Sequence, residues 1–533
     1  MSQFQLFGED MGYKSQHAYI IIFLALSIGA YYCLRYLGLW AENDTASFAT
    51  SINEVITFHK LVYRGAYTHG YGYQVWATTL YGFTGIDPQT LLQIYGPMIG
   101  TIFMSLFGFA LYRIFFQKNS LATAAVISLF LVPELLFTVL RGNHEKLTIS
   151  LTLLSVAAVI SSFRAMHDMS RRGVFLGWVI TYYATSFCLV SLNVFFGSTF
   201  IVSSTLALLL LSLASRIFPR RLKIQPRFQQ RLTLSVAASW IIVALIAWYA
   251  YPAAGSNLSL LKTAIEKVGT LFLSFTPESN PYTTITSDWA SSRIYLWLSS
   301  FRWLLFLGSF VGWILAVRTL WRGGEGYSQR LMLMTAFYAA TTIQLAFAVI
   351  IDLVGLAAGT NLQVRLYTYF TIFAAPMFVF ALSRVGEKIK ILRPSLAARR
   401  YYLTFIAVLF FIVPSLLKAT LEPYVSNRWL SYAPEEIIAL RFWKSYSAGT
   451  DIWIGLDARL RYAAALEMPN PGKIYNFKQG ARMGDAPLAL VSRQLNNNNL
   501  AWGVGMPFSS SMNTLYDNGD AAILIKSIFS PFD

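Results

Sequence analysis

Eleven apolar runs, at about residues 18–39, 91–114, 121–140, 147–163, 174–190, 194–215, 232–251, 301–320, 331–351, 366–383 and 401–418, dominate the sequence. Each is long enough, at ~20 residues, to carry a helix through a hydrocarbon core, and none shows the strict alternation of a membrane barrel strand. With 56% hydrophobic and 13% charged residues and a mean hydropathy of +0.50, the chain is too apolar for a soluble globule. The expectation is an α-helical polytopic membrane protein of about eleven spans.

The formal charge of +17 would fit a nucleic-acid binder, but the basic residues sit mostly in short loops between apolar runs, where they act as topology signals. No nucleic-acid partner is expected; the partner of this surface is the lipid bilayer. With the N-terminus in the cytoplasm, 21 basic residues fall in inside loops and eight in outside loops (Lys60, Arg64, Arg141, Lys146, Lys262, Lys267, Arg293 and Arg365). The first run has no cleavage site behind it and reads as a retained helix. Cys33 and Cys188 both lie in apolar runs, which argues against a disulfide framework or a cysteine metal site.

The longest polar interruption in the early chain is residues 40–76, WAENDTASFATSINEVITFHKLVYRGAYTHGYGYQVW, part of an outer loop over 40–90. It places Glu42 and Asp44 just beyond a membrane helix end. A second outer loop covers 252–300, with short helix-like pieces in SLLKTAIEKVGTLFL. From Glu422 the composition changes: ten acidic and ten basic residues in 422–533 mark a water-soluble, extracytoplasmic α/β domain after a membrane domain over 1–421. In it a helix is expected at Pro434 to Tyr446, a short helix from Ala458, and strands in DIWIGL, KIYNF, PLALVS and, after a YDNG turn, DAAILIKS. No solenoid repeat and no mirrored pair of broken helices appears.

The outer loops hold carboxylates (Glu42, Asp44, Glu54, Glu145, Glu278, Asp288), cations (Arg141, Lys146, Arg365), histidines (His59, His69, His144) and aromatic rings (Tyr63, Tyr67, Tyr71, Tyr73, Trp76, Tyr81). A carboxylate at a membrane surface serves as a general base on a hydroxyl, and guanidinium or ammonium groups stabilise a departing phosphate. Aromatic faces suit sugar rings. Taken singly, each has a plainer reading. Asp44 caps a helix over residues 45–57, Arg141 and Lys146 anchor the short RGNHEK loop, Arg365 snorkels to headgroups, and Tyr71 and Tyr73 form an interfacial belt. Two cations in so short an outer loop nonetheless run against the orientation rule. The spacing of His69 and His144 matches no metal-binding motif.

The loop after the first span (ENDTASF … YTHGYGYQVW), the short RGNHEK loop, the late outer arginine in NLQVRLYTYF and the C-terminal α/β region resemble the GT-C superfamily of membrane glycosyltransferases, in its bacterial and archaeal members. The resemblance implies sugar transfer on the outer face from a polyprenyl-phosphate or diphosphate donor to a glycan, lipid or protein acceptor. It implies Asp44, with Glu42 as alternate, as the catalytic carboxylate. Arg141, Lys146 and Arg365 would bind the donor phosphate, and His69, Tyr71, His144 and Glu145 the substrate. The WWDYG motif of oligosaccharyltransferases is missing, which disfavours transfer of a preassembled glycan to asparagine. A divalent metal, Mg or Mn, stays open. The alternatives are a flippase for lipid-linked sugars, which would show paired charges inside the membrane, and a non-catalytic glycan-binding scaffold.

Overall fold

The computed structural model describes residues 11–39, 41, 43–63, 69–166, 172–217, 226–255, 292–322, 328–353, 362–392, 394–420, 433–446, 449–454, 472–475, 485–493 and 512–526. Among them, every expected span is helical. They are α1 (Met11–Tyr36), α4 (Pro88–Phe116), the pair α5 (Asn119–Phe130) and α6 (Pro133–Leu140), α7 (Glu145–Met166), α8 (Arg172–Leu192) and α9 (Val194–Ile217). Then come α10 (Pro226–Ala244, extended by a π turn), α11 (Ser292–Trp321), α12 (Ser328–Leu353), α13 (Leu362–Leu392) and α14 (Pro394–Ala419). Nine are long and apolar enough to cross a membrane among the described residues, and α5 with α6 makes a tenth, broken span. The described apolar part of α14, Ile406–Ala419, is shorter. The chain is a multi-pass helical membrane protein.

The span expected at 121–140 is bent by 80° between α5 and α6. Pro133 has no N–H to continue the ladder, so it ends α5 and begins α6. The Phe130 carbonyl that the break exposes accepts a hydrogen bond from Ser415 Oγ on α14, at 2.9 Å. α6 thus departs from the line of the span and ends at Arg141.

Helices in lipid associate by close packing where small residues let backbones approach. Gly308 and Gly312 on α11 show this against α13: a Cβ at Gly312 would stand 2.0 Å from the Met377 carbonyl oxygen, and one at Gly308 would stand 2.5 Å from the Phe378 ring. That contact lies beside Pro376, inside α13.

Two shorter helices follow α1, namely α2 (Asn43–Phe58) and α3 (Gly72–Thr84). The chain turns from α1 towards α2 through Leu37 and Gly38, both at positive φ (53° and 70°). α2 begins at Asn43, so Asp44 lies inside its first turn, where a capping position was expected. One cluster of buried side chains runs from Phe48, Ile52, Tyr73 and Leu91 to Ile437, Leu440, Trp443 and Ile523. The C-terminal region therefore shares its core with the first outer loop, and both stand at the same end of the bundle.

In that region α15 (Pro434–Tyr446) packs on a five-stranded sheet of order β2-β1-β3-β5-β4: β1 (Ile452–Trp453), β2 (Ile474–Tyr475), β3 (Leu488–Ser492), β4 (Met512–Asp517) and β5 (Ala521–Lys526). β1 pairs in parallel with β2 and β3; β5 pairs antiparallel with β3 and β4. The expected turn is present, with Gly519 at φ 95° closing a β4–β5 hairpin whose first strand the pattern did not show. Buried Glu436 accepts hydrogen bonds from Ala433 N and from Ser492 Oγ, tying the start of α15 to β3. The helix expected from Ala458 and the helical pieces of the 252–300 loop lie outside the described residues.

Candidate active site at the RGNHEK loop

Gly142 is the point where the first outer loop meets the short loop between α6 and α7. Its N–H donates to Thr45 Oγ1 at 2.9 Å, and its carbonyl accepts from the Tyr73 hydroxyl at 2.8 Å. No side chain fits there, since a Cβ would stand 2.2 Å from Thr45 Cγ2 and 3.1 Å from the Leu92 carbonyl oxygen. Leu92 belongs to a π turn, Leu91–Tyr95, inside α4. Such widened turns are rare and recur at functional sites.

The rest of the loop is organised by Asn143. Its Oδ1 accepts from Glu145 N at 3.1 Å and its Nδ2 donates to Glu145 Oε2 at 2.9 Å, so the side chain forms the turn that starts α7. Arg141 Nη2 pairs with the same Glu145 oxygen at 2.5 Å, and the guanidinium lies 4.8 Å from the Phe137 ring centre. Arg365 acts electrostatically on both Glu145 and His144 from the first turn of α13. It is held there by Asp352 at the end of α12, whose two oxygens accept from Leu362 N at 3.2 Å and Gln363 N at 2.7 Å.

His144 is buried among the rings of Phe48 at 5.0 Å, His69 at 5.9 Å, Tyr73 at 6.2 Å and Phe196 at 6.5 Å. Asn193 reaches it: Asn193 Oδ1 accepts from Phe196 N at 3.1 Å, so its Nδ2 is the donor to His144 Nε2. That leaves the proton of a neutral imidazole on Nδ1, which is buried with no partner among the described residues. Burial holds His144 far below its ordinary value, at about 3; Glu145 opposes this, while His69, Arg141 and Arg365 add to it.

His69 and Tyr71 enter along the HGYG stretch. This segment presses on the α8–α9 junction: a Cβ at Gly70 would stand 2.2 Å from the Ser191 carbonyl oxygen, and Val194 N donates to His69 O at 2.9 Å. Tyr71 is half-buried, 5.8 Å from the Tyr251 ring, and burial raises its hydroxyl.

The structure gathers Arg141, Glu145, His144, His69 and Arg365. Lys146 takes another course. It is fully buried, and its stem fills the groove that Gly96 and Gly100 leave on α4, where a Cβ at Gly96 would stand 2.8 Å from Nζ. Successive residues on a helix are rotated by about 100°, so Glu145 and Lys146 face different neighbours. Asp44 has its backbone one residue before Thr45, with its side chain outside the described residues; Glu42 lies outside them altogether. Thr45, Asn143, Asn193 and Asp352 were not singled out from sequence. Only Asn143 carried a signal, as an Asn two residues before a helix start. Among the described residues, no group of three His, Cys, Asp or Glu side chains could hold a metal ion.

The sequence matches no protein-family model and no curated protein. Among solved structures, the fold is similar to the Archaeoglobus fulgidus oligosaccharyltransferase tethered with an acceptor peptide (TM-score 0.52, 13% identity, 96% of this chain and 74% of that one). The apo form of that enzyme matches with TM-score 0.50 and 13% identity over 96% of this chain and 75% of that one. Apo ArnT from Cupriavidus metallidurans matches with TM-score 0.50 and 13% identity over 95% of this chain and 97% of that one. The chain is thus a multi-pass membrane protein whose fold is similar to that of the Archaeoglobus fulgidus oligosaccharyltransferase and of ArnT.

Proposed function

We propose that this chain is a membrane glycosyltransferase that moves a sugar from a polyprenyl-phosphate-linked donor to a glycan, lipid or protein acceptor on the outer face of the membrane. The observation that carries the reading is the pair of hydrogen bonds on Gly142. They fasten the start of α2, where Asp44 precedes Thr45, and the start of α3 at Tyr73 to the loop that bears Arg141 and Glu145.

In this reading the Asp44 carboxylate, with Glu42 as alternate, takes the proton of an acceptor hydroxyl. The acceptor oxygen bonds to the anomeric carbon as the bond from that carbon to the phosphate oxygen breaks, and the electron pair leaves with the phosphate. Arg141 and Arg365 offset the charge of the departing phosphate, while Lys146, expected to join them, is turned into the groove on α4. Glu145 accepts from both Arg141 and Asn143, which suits it to orient a guanidinium better than to collect a proton. His69, Tyr71 and His144 contribute ring faces and donors to the substrate. The excess of basic residues in the inside loops supports a cytoplasmic N-terminus and an extracytoplasmic C-terminal region.

The test is turnover by purified protein in lipid, with a panel of polyprenyl-phosphate sugars and an acceptor extract. Loss of donor with a new glycosidic product is expected. Passage of intact lipid-linked sugar across proteoliposomes, without covalent change, would overturn the reading in favour of a flippase.

A further inference from the structure

Val62 and Gln74 form the neck of a loop that carries His69 and Tyr71, and a side-chain amide closes it. Gln74 lies in the first turn of α3 and is 3% exposed. Its Oε1 accepts from Val62 N at 3.0 Å and its Nε2 donates to Val62 O at 3.4 Å, so one amide satisfies both backbone polar groups of a residue twelve positions earlier. Tyr251, fully buried, is the third member. Its hydroxyl donates to the same Val62 carbonyl and accepts from Gln74 Nε2 at 3.5 Å, so two donors converge on that carbonyl.

Tyr251 reaches this knot because α10 ends in a wide turn. Its N–H donates to Ile246 O at 2.8 Å, the five-residue bond of the π turn Leu245–Ala250. Pro252 then keeps the residue before it out of the helical region, at φ −144° and ψ 75°. The Tyr251 ring sits against Tyr63 and Tyr71, at 5.1 Å and 5.8 Å between centres. Tyr71 is also joined to α3, since its carbonyl accepts from Val75 N at 3.0 Å. Next to it the backbone has no slack, because a Cβ at Gly72 would stand 2.9 Å from Leu192 N. Tyr71 is therefore held by α3, by the α8–α9 junction and by the ring at the end of α10.

We propose that Gln74 and Tyr251 are positioning residues for substrate binding: their clamp on Val62 sets the place of Tyr71 in the site. The kinetic consequence rests on the transferase reading, whereas the structural one rests on the hydrogen bonds alone. Neither residue touches substrate; each acts through the segment that carries His69 and Tyr71. Tyr251 immediately precedes the 252–300 loop, so the same clamp joins the roots of the two outer loops.

The experiment compares the full wild-type chain in phosphatidylcholine nanodiscs with Gln74→Leu and with Tyr251→Phe, which keeps both ring contacts. Amide hydrogen exchange, read by mass spectrometry, should rise about tenfold over residues 60–75 in each variant and stay unchanged over α7 and α13. In turnover of a polyprenyl-phosphate sugar, each variant should raise the KM of one substrate about fivefold, with kcat within about twofold of wild type. That substrate should be the one whose KM Tyr71→Leu raises. In the Tyr71→Leu background neither variant should raise it further, a non-additivity that general loss of packing would not produce. Absence of turnover in wild type would strike the transferase reading and leave the exchange pattern to decide the clamp. Unchanged exchange over 60–75 in both variants, a uniform rise that includes α7 and α13, or a KM effect that persists in full beside Tyr71→Leu would overturn the proposal.

Discussion

Thr45 and Gly142, 97 residues apart in sequence, are joined by a hydrogen bond of 2.9 Å from the Gly142 N–H to the Thr45 hydroxyl. Both ends are buried. The bond fixes where the start of α2 lies relative to the cations of the second loop, and so fixes the geometry on which the proposed chemistry depends.

Removing the acceptor should expose that dependence. Thr45→Val leaves a buried N–H without a partner, at a cost of about 1–3 kcal/mol. Thermal unfolding in detergent should show the loss, and transfer should fall with it. Thr45→Ser keeps the hydroxyl and should stay near wild type. Gly142→Ala drives a Cβ into Thr45 and should be at least as damaging.

The imidazole of His144 should not titrate in the working range of the protein. Its folded value is about 3 and its unfolded value about 6.5, so between these pH values the unfolded chain binds the extra proton. The stability from the neutral ring is therefore fully present above pH 6.5 and is lost as pH falls towards 3, by about 2 kcal/mol at pH 5. Unfolding midpoints from pH 8 to 5 should fall more for wild type than for His144→Gln. Asn193→Asp places an acceptor where Nδ2 now donates, which favours a protonated ring; a new inflection in the pH–rate profile above pH 5 is expected.

Asp352 should act through Arg365. Asp352→Ala frees the N–H groups of Leu362 and Gln363, and loss of such a cap costs about 0.5–2 kcal/mol. The first turn of α13 then loses its register against the loop at Glu145. A rise in KM for the donor, larger than any fall in kcat, is the expected signature. An equal fall in kcat and kcat/KM with unchanged KM would show that Asp352 does not govern donor binding.

The helices were legible because a long apolar run in a bilayer has one way to satisfy its backbone, and the α15 helix and Gly519 turn were legible from local chemistry. The span at 121–140 reads as unbroken, although a signal for the break was visible in Pro133–Glu134, a dipeptide out of place in an apolar run. What Glu134 binds was not, because Arg302 and Lys418 arrive from 168 and 284 residues away. The pairing of Arg141 with Glu145 follows from the short turn that Asn143 closes between α6 and α7. The course of Lys146 does not, since it depends on the groove left by Gly96 and Gly100 on another helix. Thr45, Asn193 and Asp352 are ordinary polar residues in sequence. Only tertiary contacts mark them.

The central claim is that a carboxylate at the start of α2 performs transfer beside the cations of the RGNHEK loop. Its most direct test compares wild type with Asp44→Asn in lipid, measuring both polyprenyl-phosphate-sugar turnover and donor binding. General-base assistance is worth about 100-fold or more, so turnover in Asp44→Asn should fall at least that far while donor binding persists. Full turnover in Asp44→Asn, and again in Glu42→Gln, would contradict the account.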